Sequence, residues 1–534
     1  MKIIKNKIVF LLCLFCITQI PNISLYSQEV PQSVSNNGIY DFLDELANNQ
    51  IISINSVVKP YSRLFIAKRL QEAAEKKEQL NPRQQKEVDF YLMDFGKELN
   101  AGKDWKRRKD LFYYKDTLFS LTVNPILGGE LFINSSGKAT YLRNGAEARS
   151  YVQNWGFYAS LRDNHEKPLL GLPAYLTRRE GGHLKNATDW SEMQGGVTFS
   201  WKWGSAGLVK DRQQWGNNYN GANIFGGNNP SFVQLRLHIS PVKWFDFNYF
   251  HGWLNSMVVD SARSYRVSNS YGTDYRKVYH KKFIAANMFT FTPFKNLNIS
   301  AGNSIVYSDL DLFPAYLIPV LFYKSVDHSV NSGIDNMNSQ MFFDVSSRQI
   351  KNLHLYGTLF VDELSMSRIF NKNEWNFLSY KAGFRLTGFA VTNLSLTAEF
   401  TYTYPLTFQH YVHTLTFESN GYNLGHYLRD NSREWYIAIS YRPVRTLNIN
   451  LYFIDAIRGP DYTELGVNRL GNPPLASVEW HNTTFGLKAS YQLINDLYTW
   501  FSFAVSDISG DIRWAPDYFY GKKNTLNLGV TVGF

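Results

Sequence analysis

The stretch Gly207–Phe232 (GLVKDRQQWGNNYNGANIFGGNNPSF) gathers groups able to recognise a polar ligand: Lys210, Asp211, Arg212 and Trp215, then Asn217, Tyr219 and further asparagines among glycines. A planar guanidinium reads carboxylates or phosphates through paired hydrogen bonds. Asparagine amides donate and accept, and flat aromatic rings stack on the apolar faces of sugars. The set suits a glycan that carries acidic groups. The same residues also have an architectural use, in which Asn and Gly build turns while Asp211 and Arg212 pair to brace an interior. A second polar stretch, Asp327–Gln340 (DHSVNSGIDNMNSQ), offers Asp335 and Asn336 as ligand contacts or, alternatively, folds as a loop that plugs a lumen. Asp362 and Glu363 follow the apolar LYGTLFV run, where they either meet a cation or sugar hydroxyls or stand as solvated rim charge.

Catalytic patterns are missing. The sequence has no His-Glu-x-x-His zinc motif, no phosphate loop and no Gly-x-Ser-x-Gly elbow. His410 and His413 are spaced to share a metal on a helix, but they sit in a Tyr-rich loop without a nearby acidic third ligand. Both cysteines, Cys13 and Cys16, fall in the first 27 residues, so the remainder has no thiolate nucleophile, thiolate metal site or disulfide. The expectation is a protein that is not an enzyme and uses no cofactor or metal.

Composition narrows the class. The 534 residues are 19% charged and 16% aromatic, with 34 Tyr and 38 Phe and a formal charge of +10. Such a chain is too aromatic for disorder and too weakly basic for a nucleic-acid binder. A mean hydropathy of −0.29 and the lack of long apolar runs exclude a bundle of membrane-spanning helices. Lys2, Lys5 and Lys7 precede the apolar run Ile8–Ile17, and Ser27 offers a cleavage point, which is the order of a secretory signal peptide over residues 1–27.

The elements that must position the polar stretches come in two styles. Over residues 28–110 the apolar period is helical. Ile39, Phe42, Leu43 and Leu46 recur at helical spacing, and a second helix starts near Ser62. A third is signalled by Asn81 as cap, Pro82 in the first turn and Gln84 completing a capping box. The run Lys103–Asp110 (KDWKRRKD) reads as a polar linker or as a basic collar against anionic lipid headgroups, with Trp105 at the interface. Over residues 111–534 the period becomes two, as in Leu394, Leu396, Ala398, Phe400 and Tyr402 against Ser395, Thr397, Glu399 and Thr401. Tight turns at Pro241–Lys243, Pro293–Asn296, Val391–Asn393, Pro443–Thr446 and Ile494–Asp496 alternate with long excursions, among them Gly252–His280, Ser308–Ser339 and Pro405–Ser432. Short turns at one end and long loops at the other predict a membrane β-barrel of about 18 antiparallel strands. Aromatic clusters such as Trp244, Phe245 and Phe247 suit its interfacial girdles.

Several blocks, in this order, carry a family resemblance: IYDFLDELANNQII…VKPYSR, GLVKDRQQWG, LIPVLFYKSVDH…DNMNSQ with LYGTLFVDEL, and GHYLRDNSREWYIAISYRP. Together they resemble the Wzi family of capsule-assembly outer-membrane proteins, in the form common among Bacteroidetes-type bacteria. The resemblance implies a periplasmic helical bundle followed by an eighteen-stranded barrel whose lumen is blocked by loops and short helices. It also implies a lectin-like role in which exported capsular polysaccharide is held at the cell surface. Lys210, Asp211, Arg212 and Trp215 occupy the matching motif block. The partners expected are surface polysaccharide, outer-membrane lipid, polysaccharide export machinery and, during biogenesis, the barrel-assembly machinery, with no nucleic acid. The competing expectation is a channel or transporter for small solutes or oligosaccharides, since a barrel of this size can hold an aqueous path.

Overall fold

The computed structural model describes residues 29–35, 37–99, 107–184, 188–270, 272–330, 336–371, 373–465 and 470–533. The leader read at 1–27 lies outside the described residues, as do Trp105 and Asp335. Among the described residues no helix is long and apolar enough to cross a membrane.

The N-terminal part is built on α1 (Asn37–Asn48), α2 (Arg63–Glu75) and α3 (Pro82–Phe95). Local chemistry sets their starts. Ser62 Oγ accepts from the Phe65 amide, and Asn81 and Gln84 form the reciprocal capping box expected of their spacing. Ile39, Phe42, Leu46, Leu70, Val88 and Phe95 meet in one buried cluster. Arg63 lies within it, paired with Asp94 at 3.0 Å and Glu98 at 2.7 Å. Asp94 is held well below the usual carboxylate range: its burial opposes ionisation, but Arg108, Arg63, Arg149 and Lys97 together outweigh it.

The barrel strands follow in chain order. They begin with β1 (Phe119–Asn134), β2 (Gly137–Val152), β3 (Trp155–Lys167), β4 (Asp189–Trp201), β5 (Gly204–Asp211) and β6 (Phe232–Val242). The next six are β7 (Phe245–Val259), β8 (Tyr279–Phe294), β9 (Leu297–Ser308), β10 (Met337–Ser347), β11 (Leu353–Glu363) and β12 (Phe377–Thr387). The last are β13 (Leu394–Thr403), β14 (Ser432–Val444), β15 (Leu447–Arg458), β16 (Trp480–Ile494), β17 (Leu497–Gly510) and β18 (Gly521–Val532). Each pairs antiparallel with the next, and β18 returns to β1 in the register Leu526↔Ile133 to Val532↔Leu127, closing an eighteen-stranded cylinder. A short strand, Phe112–Lys115, extends the line of β18 along the lower edge of β1. Closure leaves no sheet edge to be satisfied by lipid.

Alternation runs opposite to that of a soluble protein. On β13, Thr397, Glu399, Thr401 and Thr403 are buried and point inward. Outward residues such as Phe501, Phe503 and Val505 on β17 and Leu528 and Val530 on β18 are exposed. A polar interior inside an apolar belt is the solution that a bilayer imposes. The five tight turns lie at one end, where the helical part packs. Arg348 from the β10–β11 turn, itself buried, donates to Asp44 and Asn48 of α1 at 2.8 Å each and to Ser56 at 3.0 Å. Asn393 accepts from Asn81 and Arg83, and Asn495 donates to the Phe90 carbonyl.

The long excursions divide three ways. Residues 168–184, 212–231 and 404–431 fold into the lumen. The excursion expected from Gly252 begins later, because β7 continues to Val259; beyond it stands an exposed hairpin, Tyr265–Asn269 with Gly272–Arg276. The described part of the segment between β9 and β10, residues 309–330, does not plug the lumen. It lies on the outer wall of β7–β9, where Asn287 donates to the carbonyls of Pro319 and Leu321 and Tyr249 donates to that of Tyr316. Outward-facing Asn287 and Asn303 give the wall a polar strip that the segment's own backbone satisfies.

Candidate functional site

The lumen has two unlike halves. Against the walls β5–β13 it is dry. Residues 212–231 descend until Gln214–Trp215 pair with Val58–Lys59 of the helical part, and Gly226 donates to the Leu424 carbonyl of the neighbouring loop at 2.7 Å. Trp215, Ile224, Phe225, Phe250, Phe342, Phe360 and Phe417 form one buried cluster. Polar groups of the plug are met by inward groups of the wall: Lys282 donates to the Thr416 carbonyl at 2.6 Å, and Asn223 donates to that of Ser379 at 3.1 Å.

Of the residues singled out by sequence, Asp211, Arg212, Trp215, Asn217 and Tyr219 are built into this plug and the wall it meets, while Lys210 shares the outward face of β5 with Leu208. Trp215 is 1% exposed; Phe225 and Phe250 stand edge-on to its ring at 5.1 and 5.2 Å, and its indole N–H donates to Gln213. Neither ring face is open for a sugar. Arg212 pairs with Glu180 and, at 3.4 Å, with Glu192. The Glu180 carboxyl stays well below its usual range, because Arg212 and Arg162 outweigh its burial. Asp211 accepts from the Tyr158 hydroxyl at 3.2 Å and faces Arg236 at 3.4 Å, so both charges brace the interior, but through other partners than each other's side chains. Lys210 donates to the Met193 carbonyl and the Ser231 hydroxyl. Asn217 binds Asp344 through its amide groups at 2.9 and 2.6 Å and accepts from Ser56. The backbone N–H of Tyr219 donates to Glu399, its hydroxyl meets His354 at 2.8 Å, and Arg385 lies 4.1 Å over its ring. Asn336 accepts through its carbonyl from Ser308 at the top of β9. Asp362 is bound by Asn338 and Gln340, and Glu363 by Arg368. Among the described residues no group of three metal-ligating side chains occurs, at His410 and His413 or elsewhere.

The opposite wall, β15–β18 with β1 and β2, is dry toward the long loops, where Ile454, Ala456, Trp480 and Ile508 pack with Leu176 and Leu428, and wet below that cluster. Lys488 on β16 points inward, by alternation with outward Phe485 and Tyr491, yet is exposed to solvent. Two aromatic rings lie flat along this wall, each over a glycine of a neighbouring strand. A Cβ on Gly486 would sit 2.2 Å from the Tyr452 ring, and one on Gly529 only 2.0 Å from that of Trp500. Glycine is the residue that permits this approach; the Trp500 ring is left half-buried beside the lumen, while Tyr452 also packs against the Ile454–Trp480 cluster. Lys488 stands 5.6 Å from the Trp500 ring, whose N–H donates to Asn527 at 2.8 Å. Around the same level stand Glu130 on β1 and Arg143 on β2, while Arg178 reaches in from the first lumenal loop, itself exposed. Adjoining them is a cavity of about 210 Å³ whose walls include Glu130, Tyr141, Arg143, Trp190 and Tyr422. Tyr141 and Trp190 stack there at 6.0 Å and 23°.

Flat rings, amide groups and an excess of cations over carboxylates on a solvated wall can hold a sugar chain that bears carboxylates. Sequence inspection passed over Tyr452, Lys488 and Trp500, which lie in regular strands. The signal available was a glycine in an inward strand position, Gly486 or Gly529, where a strand has no local need for one.

No family model matches the chain, and no curated protein sequence matches it. Among solved structures, Wzi of Escherichia coli, an outer-membrane protein involved in group 1 capsule assembly and a carbohydrate-binding β-barrel, aligns over 95% of this chain and 100% of its own length, with a TM-score of 0.59 at 12% identity. OccD3 (OpdP) and OprD of Pseudomonas aeruginosa align over 77% and 79% of this chain and 90% and 96% of theirs, with TM-scores of 0.42 and 0.41 at 12% and 10% identity. The first likeness carries the fold: the chain has the fold of an outer-membrane β-barrel similar to that of Wzi. The other two scores are too low to add to it.

Proposed function

We propose that this barrel is a non-enzymatic glycan-binding protein that holds exported capsular or other surface polysaccharide, with its helical part and short turns on the periplasmic side. The observation that carries the reading is the wet wall, where Tyr452 and Trp500 lie flat beside Lys488, Arg143 and Arg178. A long acidic polymer suits such a wall, since modest contacts repeated along one chain combine through effective concentration. The dry plug and the helices packed over the short-turn end favour retention over passage. The carbohydrate-binding role of E. coli Wzi on a like fold points the same way.

Deleting the gene and measuring cell-bound against shed polysaccharide tests the reading: more polysaccharide is expected in the medium, and unchanged retention refutes it. Conductance of the purified protein in planar bilayers separates the transporter alternative. A closed barrel is expected, and a steady open-channel current would favour transport.

A further inference from the structure

A cavity of about 1030 Å³ lies apart from the lumen, between α3 and the short-turn rim beside the β1–β18 seam. Its wall on the barrel side is lipid-facing: Val532 shares the outward face with Leu528 and Val530, while Leu111, Leu493 and Ile494 are all more than half exposed. Its floor is Phe90 and Met93 of α3. Its polar edge is mostly cationic. Arg108 is spent on Asp94, Asp110 and Asp496. Arg445 lies 3.9 Å over the Phe90 ring and, among the described residues, hydrogen-bonds only to carbonyl oxygens, those of Gln492 and Leu493 at 3.5 Å. Lys86 and Lys109 are exposed and have no ion pair among the described residues; Asp89 is the one carboxylate on this edge outside the Arg108 network.

We infer that this groove holds one anionic phospholipid of the adjoining leaflet, its acyl chain along Leu111, Ile494 and Val532 and its phosphate among Lys86, Lys109 and Arg445. The shape argues for a lipid over a soluble anion, because the cations border an apolar trough open to the bilayer. The size is at the top of the range for a bound small molecule, as a chain with its headgroup requires. Basic pockets at a membrane surface select anionic headgroups. The inference does not depend on the glycan reading.

The test is native mass spectrometry of the full chain in detergent, with phosphatidylglycerol or phosphatidylethanolamine added. One phosphatidylglycerol is expected to stay bound where phosphatidylethanolamine does not. Each lysine removed should weaken retention roughly fivefold, so Lys86→Ala with Lys109→Ala loses most of it while keeping the heat-resistant barrel band on gels. Ile494→Asp, which spoils the apolar wall and leaves the cations, should also release the lipid. Equal retention of the two lipids, or undiminished retention by the double variant, would overturn the inference.

Discussion

Trp215 and Trp500 lie in the same lumen and have opposite fates. Trp215 is enclosed edge-on by phenylalanines where plug meets wall, and its one N–H is satisfied inside the plug. Trp500 lies flat on a glycine of the next strand, half-buried, with a solvated lysine beside it. The difference teaches that aromatic content inside a barrel does not mark a ligand site. What marks one is a ring face kept free by a small residue behind it and water in front.

The widest break of this comparison is at Trp215. Trp215→Ala opens a cavity in a dry cluster and should cost about 3–5 kcal/mol of local stability. The expected result is faster proteolysis within residues 212–231 and a rise in bilayer conductance, with the barrel band intact and polysaccharide binding little changed. Loss of binding with an undisturbed plug would reverse the assignment of the two halves.

Arg348 anchors the dry half from below. Arg348→Met leaves buried Asp44 with Lys59, 4.0 Å away, as its remaining cation, and should cost on the order of 3 kcal/mol. Protease release of the N-terminal helices from an intact barrel would measure it; unchanged protection would mean that the remaining contacts at Asn393 and Asn495 suffice.

Asp430 gives the dry half a pH dependence. Its carboxyl, in the third lumenal loop, accepts from the Phe408 amide at 2.6 Å through one oxygen, and the other has no hydrogen-bond partner among the described residues. Burial pushes it up to about 7. A carboxyl raised on folding contributes stability that is fully present below its unfolded value and lost as pH rises through the folded one, so the plug weakens between about pH 4 and 7. After structural relaxation the change should be on the order of 2 kcal/mol. Asp430→Asn keeps the acceptor and should flatten the profile, followed by hydrogen exchange of residues 404–431 at pH 4, 6 and 8. A flat wild-type profile would refute the assignment.

The smallest effect is expected on the wet half. Trp500→Ala removes one stacking face and should weaken binding of an acidic surface polysaccharide by about 1 kcal/mol, roughly fivefold, without altering plug protection. Gly529→Ala sharpens the test, because it displaces the ring without deleting it. Binding unaffected by both would remove Trp500 from the site.

Much of the fold was legible because its signals are local. The capping box at Asn81–Gln84, the two-residue period of β13 and the tight turn at Pro443–Thr446 each depend on residues a few positions apart, and all three stand where the sequence put them. Turn asymmetry then implied a closed barrel, since a bilayer tolerates no open edge. The candidate site was much less legible. The Gly207–Phe232 stretch drew attention through its residue types, yet those side chains are consumed by Glu180, Asp344, His354 and the phenylalanine cluster, none of them near in sequence.

The sequence by itself determined the cylinder, its inward and outward faces and the helices at its head, because period and turn chemistry act over one or two strands. Only the tertiary structure decided which excursions enter the lumen, that the one after β9 lies on the outer wall, and which tryptophan keeps an open face. Those outcomes depend on which side chain stands across the next strand, as Gly529 does for Trp500, and that neighbour is fixed only when the barrel closes.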